Sequence, residues 1–314
     1  MLRGAGATPR RWPGDGTGLE PALDTFVARP DASGRPRTCA ALRTAIQENV
    51  SVDLQLAGKS AVVTGGSKGI GLALVRVLTA EGMRVVTGSR TITAELKETG
   101  AVPVTVDLST ERGATELIDT ALDELGGIDL LVNNVGVGDT DDFSKGVAHT
   151  LLELPEEAWR RTFDLHFYSA LRVSRAALPS VVERKGTIIN ISSVGARAVS
   201  AGPFDYNVSK AALSALTKVI AEQFGPRGVR AVTVSPGPVG TGVWVDPDGF
   251  VGRMAKQQGV SHESFVEQAM TGLGVTTGRI AAPEEVARLV AFLASPINIT
   301  GNEYLIDGGM IKNV

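Results

Sequence analysis

Residues 60–71 read Ser60-Ala61-Val62-Val63-Thr64-Gly65-Gly66-Ser67-Lys68-Gly69-Ile70-Gly71, and the fold follows from that stretch. Ser60–Thr64 has the β-branched texture of a buried strand. The glycines then interrupt it and open a helix, Ile70–Ala80. Glycine there permits a tight turn and lets backbone N–H groups approach a pyrophosphate at the helix N-terminus. Gly65, Ser67, Lys68, Gly69, Ile70 and Gly71 are therefore expected to cradle a dinucleotide. The spacing is Gly-x-x-x-Gly-x-Gly rather than the more general Gly-x-Gly-x-x-Gly.

Working outward, short β-branched runs alternate with helical patterns, the signature of βαβ units on a parallel sheet. The expected strands are Ser60–Thr64, Arg84–Gly88, Val102–Val106, Ile128–Asn133, Gly186–Ser192, Arg230–Ser235 and Glu303–Ile306. The expected helices are Ile70–Ala80, Glu111–Leu125, Pro155–Val182, Tyr206–Phe224 and Pro283–Leu293. Pro155 and Pro283 suit first helical turns. Together these predict an α/β fold: one doubly wound (Rossmann) domain, residues 53–314, with seven parallel strands and helices on both faces.

Residues 1–52 differ. Pro9, Pro13, Pro21, Pro30 and Pro36 fall in the first 37 residues, with six glycines and scattered arginines but no apolar periodicity. Such a segment buries too little apolar surface to offset the entropy of ordering it. It reads as a flexible N-terminal extension, with a short helix over Cys39–Gln47 conceivable. A mitochondrial transit peptide is disfavoured by Asp15, Glu20, Asp24 and Asp31, and a start near Val52 stays open. The net charge of −3 gives no basic excess, so nucleic acid is a poor partner. The lone Cys39 excludes an internal disulfide, and no apolar run is long enough to span a membrane. A cytoplasmic protein is expected, with no membrane partner and no metal.

The second strand ends Val85-Val86-Thr87-Gly88-Ser89-Arg90. A site for NAD usually has an acid here for the ribose hydroxyls, and none is present. Arg90 offers a guanidinium fork to a 2′-phosphate, with Lys68 nearby. Ser89, Arg90 and Lys68 therefore point to NADP(H) rather than NAD(H).

Thr64-Gly65-x-x-x-Gly69-x-Gly71, Asn133-Asn134-Val135-Gly136, Ser193, Tyr206-x-x-x-Lys210 and Pro236-Gly237 follow in order. In this order and spacing the chain resembles the classical short-chain dehydrogenase/reductase family, from Leu54 to about Met310. Tyr206 and Lys210, four apart, share a helix face. A neighbouring ammonium favours the phenolate and is expected to lower the tyrosine's pKa from about 10. Tyr206 is then the general acid or base toward a carbonyl or alcohol oxygen. The resemblance gives Ser193, thirteen residues earlier, the task of orienting that oxygen, and selects it over Ser192. It also gives Lys210 the nicotinamide ribose, and implies cofactor contacts for Asp107, Leu108, Asn133, Gly136, Pro236, Gly237, Val239 and Thr241.

Three departures stand out. Phe163-Asp164-Leu165-His166 carries His166 where the family usually has a catalytic asparagine. A histidine in that place is expected to serve the proton relay and to titrate near neutral pH. Asp205 precedes Tyr206, where small or neutral residues are common. The chain between Gly136 and Trp159 is longer than usual and carries Asp139, Asp141 and Asp142.

The segment Thr241–Gly278 takes the place of a substrate lid. Its Trp244, Phe250, Met254, Phe265 and Met270 suit either an apolar substrate or the lid's own core. Arg184, Lys185 and Arg227 are candidates for meeting an acyl-carrier protein. The expected function is an NADP(H)-dependent oxidoreductase acting on a small-molecule carbonyl or secondary alcohol, working as a homo-oligomer, a tetramer or dimer. The alternative is a cofactor-sensing regulatory or scaffold protein with little turnover.

Overall fold

In the computed structural model, residues 52–136, 151–199 and 202–312 are described. The readings on residues 1–51 and on Asp139, Asp141 and Asp142 lie outside the described residues.

Strand β1 (Ser60–Thr64) leads through the glycine turn into α1 (Gly69–Ala80), then β2 (Arg84–Ser89) and a short α2 (Ala94–Lys97). β3 (Val102–Thr105), α3 (Glu111–Leu125) and β4 (Leu130–Asn133) complete the first half. The second half holds α4 (Glu156–Phe163), α5 (Ser169–Arg184), β5 (Thr187–Ile191) and α6 (Phe204–Phe224). β6 (Arg230–Pro236) follows, then three small helices, α7 (Gly242–Val245), α8 (Phe250–Gln258) and α9 (His262–Gly272). α10 (Pro283–Ala294) and β7 (Glu303–Ile306) close the fold.

The seven strands form one sheet in the order β3-β2-β1-β4-β5-β6-β7, every pair parallel. Alternation along β1 divides the core. Ala61 and Val63 face α1 and α10, whereas Val62 faces the layer of α3, α5 and α6. Central strands covered on both sides read as continuous apolar runs, which is why they were legible. The strand order reverses between β1 and β4, so their carboxyl ends frame the crevice where doubly wound sheets bind ligands.

One expectation changes. The single helix Pro155–Val182 is interrupted by a wide π-helical turn, Asp164–Tyr168, that separates α4 from α5. The segment Thr241–Gly278 is built of α7, α8 and α9. Met270 is buried, supporting the reading of that segment as having its own small core.

Candidate active site

The glycine turn is held by its neighbours. Gly65 and Gly69 have φ of 75° and 56°, the left-handed region that favours glycine. A Cβ on Gly71 would lie 2.0 Å from the Gly65 carbonyl oxygen, so α1 starts against the turn only without a side chain there. Asn134, after β4, donates from Nδ2 to the Thr64 carbonyl at 2.9 Å. The Asn134 and Val135 backbone N–H groups donate to Thr64 Oγ1 at 2.9 and 3.1 Å. Thr93 Oγ1 donates to the Ser67 carbonyl at 3.0 Å. A Cβ on Gly69 would come 3.1 Å from Thr241 Cγ2, which brings the start of the Thr241–Gly278 segment to the turn.

Around that turn the expected residues fall into two groups. Lys68 and Arg90 are exposed at its edge, with Ser89 buried beside them and its Oγ without a hydrogen-bond partner. Leu108 is buried, and the exposed Asp107 accepts at Oδ1 from the Ser109 N–H and Oγ at 3.0 and 2.8 Å. Asn133 is different. Its Nδ2 protons go to Ser174 Oγ and Asn190 Oδ1 at 2.9 and 2.8 Å, so it brackets β4 to β5 and α5 beneath the crevice. Gly237 passes so close to Asp307 that a Cβ would lie 2.9 Å from its Cα, and Val239 is buried in a bridge to Ala281.

The second cluster lies at the carboxyl ends of β4 and β5. Ser192 and Ser193 separate cleanly. Ser192 Oγ is buried between the Lys210 carbonyl and Ser214 Oγ, both at 2.9 Å. Ser193 Oγ accepts from the Gly195 N–H at 3.0 Å and hydrogen-bonds the Tyr206 side chain. Lys210 is buried, donates to the Ile191 carbonyl at 2.9 Å, and sits 5.8 Å from the Tyr206 ring centroid. A Cβ on Gly136 would come 3.3 Å from Lys210 Nζ, so the chain just after β4 reaches the same place.

His166 projects from the π-helical turn. Its ring meets Tyr206 edge-on, centroids 5.1 Å apart at 88°. Its Nδ1 lies 3.2 Å from Ser209 Oγ, and Ser209 spends its own proton on the Tyr206 carbonyl at 2.7 Å. The Ser209 oxygen is then an acceptor toward His166, so Nδ1 carries the proton and Nε2 is bare. That Nε2 is buried without a protein partner.

Electrostatics correct two expectations. Burial raises the Tyr206 phenol above its usual range, and the Ser193 hydrogen bond pulls it part of the way back. Lys210 is not what shifts it; burial instead lowers the lysine to about 8. The Lys210 ammonium donates to the Ile191 carbonyl. Burial, with Lys210 nearby, also holds His166 well below the usual imidazole range. A titration of His166 near neutral pH is therefore not what this site gives; the imidazole is neutral there.

Across the crevice, a family model described as enoyl-(acyl carrier protein) reductase matches residues 65–311. The 3β-hydroxysteroid dehydrogenase 1 of Eggerthella lenta is 33% identical over 272 residues, covering 81% of this chain and 94% of that protein. The chain belongs to the short-chain dehydrogenase/reductase family. The 3-oxoacyl-(acyl-carrier-protein) reductase FabG of Vibrio cholerae is another such relative, 32% identical over 266 residues, or 82% of this chain and 99% of that one. Among solved structures, L-sorbose reductase from Gluconobacter frateurii with NADPH and L-sorbose superposes with a TM-score of 0.75. It is 30% identical and covers 84% of this chain and all of that one.

The residues present fit a short-chain dehydrogenase's nicotinamide cofactor. The glycines let the turn fold tightly against its neighbours at the start of α1, and Ser89 presents an unpartnered buried hydroxyl at the end of β2. Sequence reasoning passed over Asn134, Thr93 and Ser209, which hold the site together. Asn134 lay within a quoted motif; the other two carry no local signal beyond a cap-forming threonine and a serine one turn from His166. The acyl-carrier reading of Arg184, Lys185 and Arg227 is corrected. Arg184 and Lys185 precede β5 and Arg227 precedes β6, at the sheet end opposite Ser193. There Arg184 and Lys185 line a cleft with Lys59, Asp129 and Arg230.

Proposed function

We propose that this short-chain dehydrogenase/reductase is an NADP(H)-dependent enzyme that interconverts a carbonyl compound and a secondary alcohol. One observation carries the reading. Ser193 and Tyr206 share a hydrogen bond beside buried Lys210, next to a glycine turn shaped for a dinucleotide. The bound nicotinamide would supply or accept the hydride. Ser193 orients the substrate oxygen. The neutral phenol of Tyr206 delivers the proton in reduction, and its raised pKa favours that protonated form. Lys210, buried beside the Tyr206 ring, would hold the nicotinamide ribose, the task the family resemblance gives it. The bare Nε2 of His166 is a hydrogen-bond acceptor in the path by which the phenol is reprotonated.

Lys68, Ser89 and Arg90 favour the 2′-phosphate of NADP(H) over the free hydroxyl of NAD(H). The solved relative holding NADPH agrees with this preference. The relatives' named substrates range from steroids and acyl-carrier thioesters to sugars, so the substrate class is left as a carbonyl or secondary alcohol. The described residues contain no helix long and apolar enough to cross a membrane. Association into a homodimer or tetramer is supported by the exposed Tyr168, Val208 and Val219 around α5 and α6. The test is NADPH oxidation against a panel of oxoacyl thioesters, steroids, sugars and small ketones. Turnover supports the reading, and tight NADPH binding with no turnover on any carbonyl counts against it.

A further inference from the structure

Two buried hydrogen-bond rungs join the helices that meet at the site. Thr162 and His166, one turn apart, run through α4 into the π-helical turn; Asp205 and Ser209, one turn apart, open α6. Thr162 Oγ1 donates to Asp205 Oδ2 at 2.5 Å, and His166 Nδ1 donates to Ser209 Oγ at 3.2 Å. All four residues are buried. A buried carboxylate is costly without a donor, so Asp205 and Thr162 need each other. Asp205 also sits in the first turn of α6, where the helix dipole favours an acid. Asp205 is bonded directly to Tyr206 in the chain, and Thr162 lies one turn before His166. The rung therefore ties together the two backbones that present those rings.

We propose that Asp205 is a positioning residue: through Thr162 it fixes the turn that presents His166, and so holds the imidazole edge-on to Tyr206 with Nδ1 protonated and Nε2 bare. Loss of the rung lets the turn shift and lengthens the 3.2 Å contact from Nδ1 to Ser209. The imidazole proton is then no longer confined to Nδ1. The proposal rests on Tyr206 being the proton-handling group, but its first readout does not.

The chain has only three histidines, His149, His166 and His262, so selective 15N-histidine labelling resolves His166 by nuclear magnetic resonance. Wild type should show Nδ1 protonated and Nε2 bare. Asp205→Asn keeps an acceptor oxygen for Thr162 and should keep that pattern and most of the turnover. Thr162→Val removes the donor with little change of volume, and Asp205→Ala removes the acceptor. Both should mix the tautomers and lower kcat about ten- to a hundredfold, with KM for NADPH unchanged. If Asp205→Ala fails to fold, Thr162→Val decides. Folded Thr162→Val with the wild-type tautomer and wild-type kcat overturns the proposal, whatever its melting temperature. A wild type without carbonyl turnover overturns the functional reading alone, and the tautomer comparison then still decides whether Asp205 sets His166.

Discussion

At the scale of single residues, chemistry was most legible where a residue type has few other uses. Ser193, Tyr206 and Lys210 were named from order and spacing, and the fold brings them together with His166 and Gly136. Their protonation was not legible, because burial decides it and burial depends on the whole fold. The cofactor preference is tested at Arg90. Arg90→Ala should weaken NADPH by about 1.5–3 kcal/mol, roughly ten- to a hundredfold, and leave NADH nearly unchanged. Equal dissociation constants for NADPH and NADH in wild type would show that Arg90 and Lys68 do not read the phosphate. The His166 prediction concerns acid. Its folded pKa is depressed, so between that value and about 6.5 the unfolded chain binds more protons than the folded one. Stability from this group is complete above about 6.5 and is lost as pH falls toward the folded value. Melting temperatures of wild type and His166→Asn, followed from pH 7.5 to 5, should shift in the variant's favour as pH drops. A constant difference would mean the imidazole is not held neutral by burial. Lys210, lowered to about 8, works in the same sense at higher pH, with stability rising from about 8 toward the unfolded value.

At the scale of elements, the parallel strands were readable because central strands buried on both faces leave uninterrupted apolar runs. β4 starts at Leu130 although Ile128 is fully buried, since burial continues past the hydrogen-bonded ladder. The break in the helix at Asp164–Tyr168 was not readable; no proline or glycine marks it, and its role is to set His166 against α6. The helices α7, α8 and α9 were hidden for the opposite reason. Gly249 and Gly252 look like loop punctuation but serve packing. A Cβ on Gly249 would lie 2.1 Å from the Gly242 carbonyl oxygen, and one on Gly252 would lie 2.1 Å from that of Pro247. The glycine turn gives a direct test. Gly71→Ala forces a methyl against the Gly65 carbonyl and Asn134 Nδ2, where the backbone cannot yield. It should cost about 1–3 kcal/mol of stability and abolish tight NADPH binding. Thermal melts and fluorescence titration with NADPH check both effects, and wild-type NADPH affinity in Gly71→Ala would mean the turn does not hold the cofactor.

At the scale of the whole molecule, the doubly wound sheet gathers residues from the ends of β1, β2, β4, β5 and β6 at one edge. The site is thus a property of the sheet, not of any one motif. The exposed Tyr168, just before α5, and Val208 and Val219 on α6 predict self-association. Light scattering at micromolar concentration should give a dimer or tetramer, and Val219→Glu, on an exposed part of α6, should shift it toward monomer. Removing residues 1–51, whose composition favours no core of its own, should leave assembly and melting temperature nearly unchanged. The central claim is that Tyr206 delivers the proton in an NADPH-dependent carbonyl reduction. The most direct measurement is turnover of Tyr206→Phe beside wild type at saturating NADPH, on whichever carbonyl of the panel wild type reduces, with NADPH binding measured on the same samples. Turnover reduced about 10²- to 10⁴-fold, with NADPH still bound, is the predicted result. Wild-type turnover in a folded Tyr206→Phe protein would contradict it.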